Sequence, residues 1–356
     1  MSSVYFLLTL YSLSKAKKRY TERDRLAEAE AYDKYLTIFS GGYKILHSEF
    51  GDDRFISRGC LSPKEDLFVT AGWSNICKIW KVPDCVLHTE LKGHEDKVLS
   101  VTFHPISELG LSPNGPNIAT ASADFSIRLW SLNEELESQQ WKLLGKHEER
   151  VNCVAFHPLG NHLASSSNDK TWRFWDIEKT KELLLQEGHE AYVHPLSFQC
   201  DGSLIATGDL NGIGKVWDLR TGKSILNLLG HVKRIISLSF LPNGYQVATG
   251  SDDNTIRVWD LRRKSTIYNI PAHRRTVSDI RFEPLEGKFM VSAAYDGVCK
   301  IWNTRDWQVA AKFSIESTKL TSASPNKDAS MIITTSSDKM FKVWELNKEI
   351  AEAKND

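Results

Sequence analysis

The sequence predicts an all-β protein: a ring of seven four-stranded blades, a β-propeller, behind a short N-terminal helical extension. Three observations predict it. Seven tryptophans recur in register, at Trp80, Trp130, Trp175, Trp217, Trp259, Trp302 and Trp344, with intervals of 50, 45, 42, 42, 43 and 42 residues. Ten residues before each stands a hydroxyl (Thr70, Thr120, Ser165, Thr207, Thr249, Ser292, Thr334), and six before stand Ser74, Asp124, Asp169, Asn211, Asp253, Asp296 and Asp338. Five units open on a histidine, at His94, His147, His189, His231 and His273. A motif that returns at fixed spacing is a rule of construction, and its residues are assigned to architecture before any chemistry is sought.

Each unit is justified by its local pattern. Short apolar stretches such as "RIISLSF", "QVATGS" and "TIRVW" alternate with Asn-Gly, Asp-Gly and Pro turns, which reads as four short strands. One twisted four-stranded sheet cannot bury both of its faces, whereas seven packed radially can. The polar markers suit one hydrogen-bonded chain per blade. A carboxylate orients an imidazole, the imidazole reaches a hydroxyl, and the hydroxyl reaches an indole N–H. The clearest sets are His147, Ser165, Asp169 and Trp175; His231, Thr249, Asp253 and Trp259; and His273, Ser292, Asp296 and Trp302. This pattern resembles the WD40 repeat, whose period is about 40–45 residues per four-stranded blade.

In chain order, Val4 to Leu13 is too short to span a bilayer and lacks the flanks of a secretory signal, so it reads as an ordinary terminus. The stretch "KAKKRYTERDRLAEAEAYDKYLTIFSGG" reads as a helix, with Ala29, Tyr32, Leu36 and Phe39 on one stripe and Gly41-Gly42 as its stop. Its basic start (Lys15, Lys17, Lys18, Arg19, Arg23, Arg25) is expected to be solvated, with the apolar stripe docked on the ring. Tyr43 to Pro63 aligns with Lys223 to Pro242, with Asp52 at the place of His231. Lys44 to Phe50 is therefore expected to be the outer strand of a blade completed by the C-terminus, ending near Leu346, so that the ring has no open edge. The first unit has Asp52 and Ser74 for His and Asp, and the last has Glu316 for His. The insertion "SELGLSPNGP" lengthens a loop of the second unit. The division is 1–42 extension, 43–348 ring and 349–356 tail.

The 45 basic and 45 acidic residues balance, which argues against a strongly nucleic-acid-binding chain. The six cysteines form no C-x-x-C pair, so no zinc ribbon or redox dithiol is expected, and a reduced compartment is the simplest reading. Once the repeat histidines and the "FHP" strand ends at His104 and His157 are set aside, His47, His88, His162 and His194 remain, none beside a recurring nucleophile or carboxylate. No phosphate-binding glycine loop, HExxH or GxSxG is present. No catalytic residue, cofactor, metal or small-molecule substrate is expected.

The linking segments carry a narrower resemblance. "GDDRFIS", "CKIWKVPDC", "QEGHEAYV", "DGSLIATGDLNGIGKVWDLRTGK", "PNGYQVATGSDDNTIRVWDLR" and "IPAHRRTVSDIRFEPLEGKF" are similar to the WD-repeat subunits of the U4/U6 small nuclear ribonucleoprotein, the Prp4-type pre-mRNA splicing factors. The likeness runs from about Tyr43 to Leu346 and includes irregularities: Trp73-Ser74, Asn211 and the long loop before Asn117. It implies a nuclear, non-enzymatic scaffold of the U4/U6 and tri-snRNP particles, monomeric within a larger complex. Such a scaffold holds partner splicing factor proteins on the paired snRNAs, touches the RNA mainly indirectly and has no membrane association. The alternative class is a substrate adaptor or signalling scaffold in another complex. In each unit the residue before the first inner-strand apolar position is expected at the top rim: Phe55, Lys97, Arg150, Tyr192, Arg234 and Thr276. Trp73 and Tyr295 join them from the neighbouring turns. Three cations among aromatics suit an acidic peptide or phosphate.

Overall fold

A computed structural model describes residues 2–21, 39, 42–105, 117–132, 140–315 and 318–347. They form seven four-stranded antiparallel sheets. Blade 1 runs outward through Ile56–Leu61, Leu67–Gly72, Ile76–Lys81 and Val86–Lys92. Blades 2 to 6 repeat that order over 98–146, 151–186, 193–228, 235–270 and 277–314. Blade 7 takes Leu320–Pro325, Met331–Ser336 and Met340–Leu346 from the C-terminal end and Tyr43–Phe50 from the N-terminal side. Tyr43 lies opposite Leu346 and Phe50 opposite Met340. The innermost strands touch in sequence around the ring, and those of blades 1 and 7 touch each other. Joining the chain's two sides in one sheet pairs Met340–Leu346 on both sides and gives blade 7 the same four strands as the others.

Apolar side chains of consecutive blades interdigitate. Val247, Trp259 and Phe240 of blade 5 pack with Ala206, Val216 and Leu228 of blade 4. At the seam, Phe68 and Trp80 of blade 1 meet Phe341 of blade 7 at ring-centroid distances of 5.5 and 5.0 Å. Burying such large apolar faces supplies the main cohesion between blades.

Within blades 2, 3, 5 and 6 the polar markers meet. In blade 5, His231 Nδ1 lies 2.8 Å from Asp253 Oδ2 and its Nε2 lies 2.8 Å from Thr249 Oγ1, while Trp259 Nε1 donates to that hydroxyl at 2.9 Å. His147, Asp169, Ser165 and Trp175 repeat the arrangement at 2.8, 2.7 and 2.8 Å. His273, Asp296, Ser292 and Trp302 do so at 3.2, 2.8 and 2.8 Å. The indole can only donate, so the hydroxyl accepts there and gives its own proton to Nε2. The imidazole is then neutral, with Nδ1–H donating to the carboxylate. Burial lowers the pKa of His231 and His147 in keeping with that tautomer, although their carboxylate partners pull the other way. At Asp253 burial opposes ionisation, but the hydrogen bonds of Thr255 and His231 outweigh it and hold the carboxyl below its usual range. The Asp253 side chain keeps 12% exposure, so it sits at the rim of the sheet and not fully inside.

Three units depart from the pattern. Blade 4 corrects the sequence reading. The carboxylate on His189 is Asp209, at 2.9 Å, and not Asn211, whose backbone N–H donates to Asp209. In blade 1, Asp52 is buried and accepts from the backbone N–H of Asp53 and Ser74, while Thr70 receives Trp80 Nε1 at 3.2 Å. In blade 7, Trp344 Nε1 still reaches Thr334 at 2.8 Å; Glu316 lies outside the described residues.

The extension also differs from its sequence reading. Ser2–Thr21 is a helix that takes in Val4 to Leu13, while Ala29, Tyr32 and Leu36 lie outside the described residues. At 20 residues it is not apolar enough to cross a membrane. Leu8 is buried with Trp172, Trp217 and Leu219. Arg19 is anchored: its guanidinium reaches Asp201 Oδ2 at 2.6 Å and the Pro242 carbonyl at 3.2 Å. It occupies the space a Cβ would need at Gly244, whose φ is +77°. Phe39 is buried against Phe289, as the predicted stripe required of that residue. The helix thus packs against blades 3 to 5 on the ring face formed by the turns after the innermost strands, the bottom face.

Those turns hold a second repeated device. His104 Nε2 lies 3.1 Å from the Gly160 carbonyl of the next blade, His157 Nε2 lies 2.9 Å from that of Gly202, and the Gln199 amide donates to that of Gly244. The "FHP" histidines are ties between neighbouring blades.

Candidate interaction surface

The opposite face, the top, is shaped by a recurring irregularity. In every blade the pairing of the innermost strand with its neighbour slips just after the first residue. A bulge adds a residue to one strand and re-aims its side chain. The residues passed over are Ser57, Leu99, Asn152, His194 with Pro195, Ile236, Ser278 and Thr321, and all of them line a cavity of about 180 Å³ at the channel mouth. Some also brace the ring. Asn152 donates to the Val193 carbonyl at 2.7 Å and Ser278 to the Leu320 carbonyl at 2.7 Å, each in the next blade.

Of the residues expected at the top rim, Phe55, Trp73 and Tyr295 line this cavity. Phe55 and Trp73 are in ring contact at 4.9 Å, and Lys97 Nζ stands 4.1 Å over the Trp73 ring. Trp73 keeps 36% exposure, so this trio presents an apolar plane capped by a charge. Arg150, Tyr192 and Arg234 are exposed further out. Arg234 Nε is 3.4 Å from Asp252 Oδ2. Thr276 is buried and donates to Asp252, so its hydroxyl is committed to the ring.

The mouth is electropositive. His194 is pushed down to about 4 by burial and then by the neighbouring charges of Arg58, Arg234 and Arg150. Beneath it, Arg58 pairs with Asp279 at 3.5 Å and donates to Cys153 Sγ at 3.1 Å. Arg281 bonds Asp279 at 3.0 Å and the Gly59 carbonyl at 2.6 Å, tying blade 6 to blade 1. Paired charges thus stand beneath the mouth, while the rim above retains cations. Among the described residues lining the mouth, no base is hydrogen-bonded to a nucleophile. Among the described residues no cluster of His, Cys, Asp or Glu is arranged to hold a metal ion.

The bulge residues, His194 foremost, were not identified as mouth residues from sequence. A bulge has no marker of its own in these strands. The constant offset between each rim position and the apolar run that follows is the one signal that could have located it.

Comparison with known proteins gives a consistent family. The family model described as the IFT122 first beta-propeller matches residues 56–345. The chain is 40% identical over 122 residues to the U4/U6 small nuclear ribonucleoprotein Prp4 of Mus musculus, which covers 32% of this chain and 23% of that protein. It is 34% identical over 169 residues to the uncharacterized WD repeat-containing protein C227.12 of Schizosaccharomyces pombe, covering 45% and 35% respectively. Against Pre-mRNA-processing factor 19 of Bos taurus the figures are 29% over 175 residues, 49% and 32%. The chain therefore spans about a quarter to a third of the length of these relatives. With seven closed blades, their internal polar chains and a match across nearly the whole ring, the chain belongs to this β-propeller family and is of the WD-repeat type.

Proposed function

We propose that the chain is a non-enzymatic nuclear scaffold of the U4/U6 and tri-snRNP particles in pre-mRNA splicing. Its top face would dock a partner splicing factor, and the snRNAs would be held mainly through that protein. The observation that carries the reading is the identity to Prp4 of the U4/U6 particle, supported by the likeness to a second pre-mRNA-processing factor. The rim supports it chemically: Phe55 and Trp73 offer an anchor surface, and Lys97, Arg150 and Arg234 offer charge to an acidic segment. A neutral chain without RNA-reading motifs suits indirect contact with RNA. A second reading, a scaffold in a non-splicing complex, is favoured by the description of the matching family, which names a different propeller.

The test is purification of the tagged chain and of a Lys97→Glu, Arg150→Glu, Arg234→Glu variant from nuclear extract, with U4 and U6 RNA and associated proteins measured. The expected result is recovery of both RNAs and a partner splicing factor with the parent, and loss of all three with the variant. Recovery of all three with the variant places docking off the top rim. A parent that brings down no small nuclear RNA ends the splicing reading and leaves the second.

A further inference from the structure

Beside the mouth, over blades 5 to 7, lies a separate top-face pocket of about 280 Å³ lined by Lys233, Asp252, Asn254, Arg274, Arg275, Thr276, Tyr295 and Lys319. Four of these are cations, brought together from three blades: Lys233 from the loop entering blade 5, Arg274 and Arg275 from that entering blade 6, and Lys319 from that entering blade 7. All four are exposed, and among the described residues none is in an ion pair. The single acid, Asp252, is already engaged by Arg234 at 3.4 Å and by the Thr276 hydroxyl. With Asp252 so engaged, the pocket holds four cations that have no ion-pair partner among the described residues, although the chain as a whole is neutral.

We propose that this pocket receives one phosphate monoester, a phosphoserine or phosphothreonine of a partner protein. Such a group carries close to two negative charges and three strong acceptor oxygens, and convergent Arg and Lys donors recognise it by charge-assisted hydrogen bonds. The dimensions fit a single group: the pocket is at or below the small end of ligand sites, roughly 300–1,000 Å³. The geometry disfavours a nucleic-acid strand. Single-stranded recognition uses a groove with successive stacking rings, whereas the one ring here, Tyr295, is partly buried and has Lys319 Nζ standing 5.6 Å from its centre. The site is distinct from the Phe55–Trp73 plane, so a partner can use both. It does not depend on which particle the chain serves.

The test uses the full chain and three probes read by fluorescence anisotropy: a degenerate-flank phosphoserine peptide pool, its unphosphorylated twin, and a single-stranded RNA 12-mer. The expected result is binding of the phosphorylated pool at least about tenfold tighter than the twin, since one lost charge-assisted bond is worth that much. The Arg274→Ala, Arg275→Ala, Lys319→Ala variant should lose this preference, and Lys223→Ala, exposed on the outer strand of blade 4, should keep it. Thermal unfolding of each variant separates lost binding from lost folding. Equal affinity for the two pools, an unchanged preference in a folded triple variant, or RNA bound in place of the phosphopeptide overturns the proposal.

Discussion

Blade 5 and blade 1 occupy equivalent places in the ring but are fastened differently. Blade 5 has the full chain from Asp253 through His231 and Thr249 to Trp259. Blade 1 keeps only the last link, between Thr70 and Trp80, and substitutes aromatic packing against Phe341 of blade 7. One position, eight residues before the tryptophan, separates the variants. Ser251 in blade 5 donates to the Lys233 carbonyl and accepts from the Asp253 N–H. Its counterpart in blade 4 is Asp209, which bonds His189 directly. Its counterpart in blade 1 is Gly72, where a Cβ would lie 1.5 Å from Asp52 Oδ2, so the absent side chain is what admits the Asp52 carboxylate. The polar chain is thus a local fastener of an interior blade, replaceable at the seam, whereas radial packing and closure are common to all.

The comparison breaks most visibly at the seam. Deletion of residues 1–50 removes the Tyr43–Phe50 strand and leaves Met340–Leu346 as a bare edge. The expected result is aggregation, read by light scattering and yield of soluble protein. Deletion of 1–40 keeps that strand and should leave a monomeric ring, less stable by the uncovered contacts of Leu8 and Arg19. A monodisperse, stable 1–50 deletion would show that closure does not depend on this strand.

Next come the carboxylates. Asp253→Ala and Asp209→Ala should each cost about 1–3 kcal/mol in chemical denaturation, because each leaves a buried imidazole N–H without an acceptor. Asn211→Ala should fall within about 0.5 kcal/mol of the parent, since it bonds Asp209 through a backbone N–H that alanine retains. A costly Asn211→Ala together with a silent Asp209→Ala would restore the assignment read from spacing.

The smallest and most graded effect is that of pH. Burial lowers the pKa of His147 and His231, and that of His157 to about 4, below the unfolded value of about 6.5. As pH falls from about 6.5 toward 4, the unfolded chain takes up protons there that the folded chain refuses, so stability falls with pH over that window. The lowered Asp253 carboxyl extends the loss below about 3.8, where the unfolded carboxyl protonates first. Thermal midpoints measured from pH 7.5 to 4 should decline, and His157→Gln should flatten the curve. A midpoint constant across that window would contradict neutral, buried imidazoles.

The sequence by itself determined the ring. Periodicity of tryptophan, hydroxyl and carboxylate set the number of blades, and the alignment of 43–63 with 223–242 located the closing strand, because strand pairing and burial repeat whenever the local pattern repeats. Only the tertiary structure decided which carboxylate served blade 4. Asp209 and Asn211 stand two residues apart at the same turn, and the path of that turn, not spacing, put Asp209 on His189. It also decided the face covered by the N-terminal helix, whose Arg19 finds Asp201 and Pro242, more than 180 residues away. The gathering of Lys233, Arg274, Arg275 and Lys319 was equally illegible in the chain, because loops from three separate blades become neighbours only when the ring closes. Local pattern specifies what each repeat becomes; contacts between repeats exist only in the assembled ring, where side chains distant in sequence first share a surface.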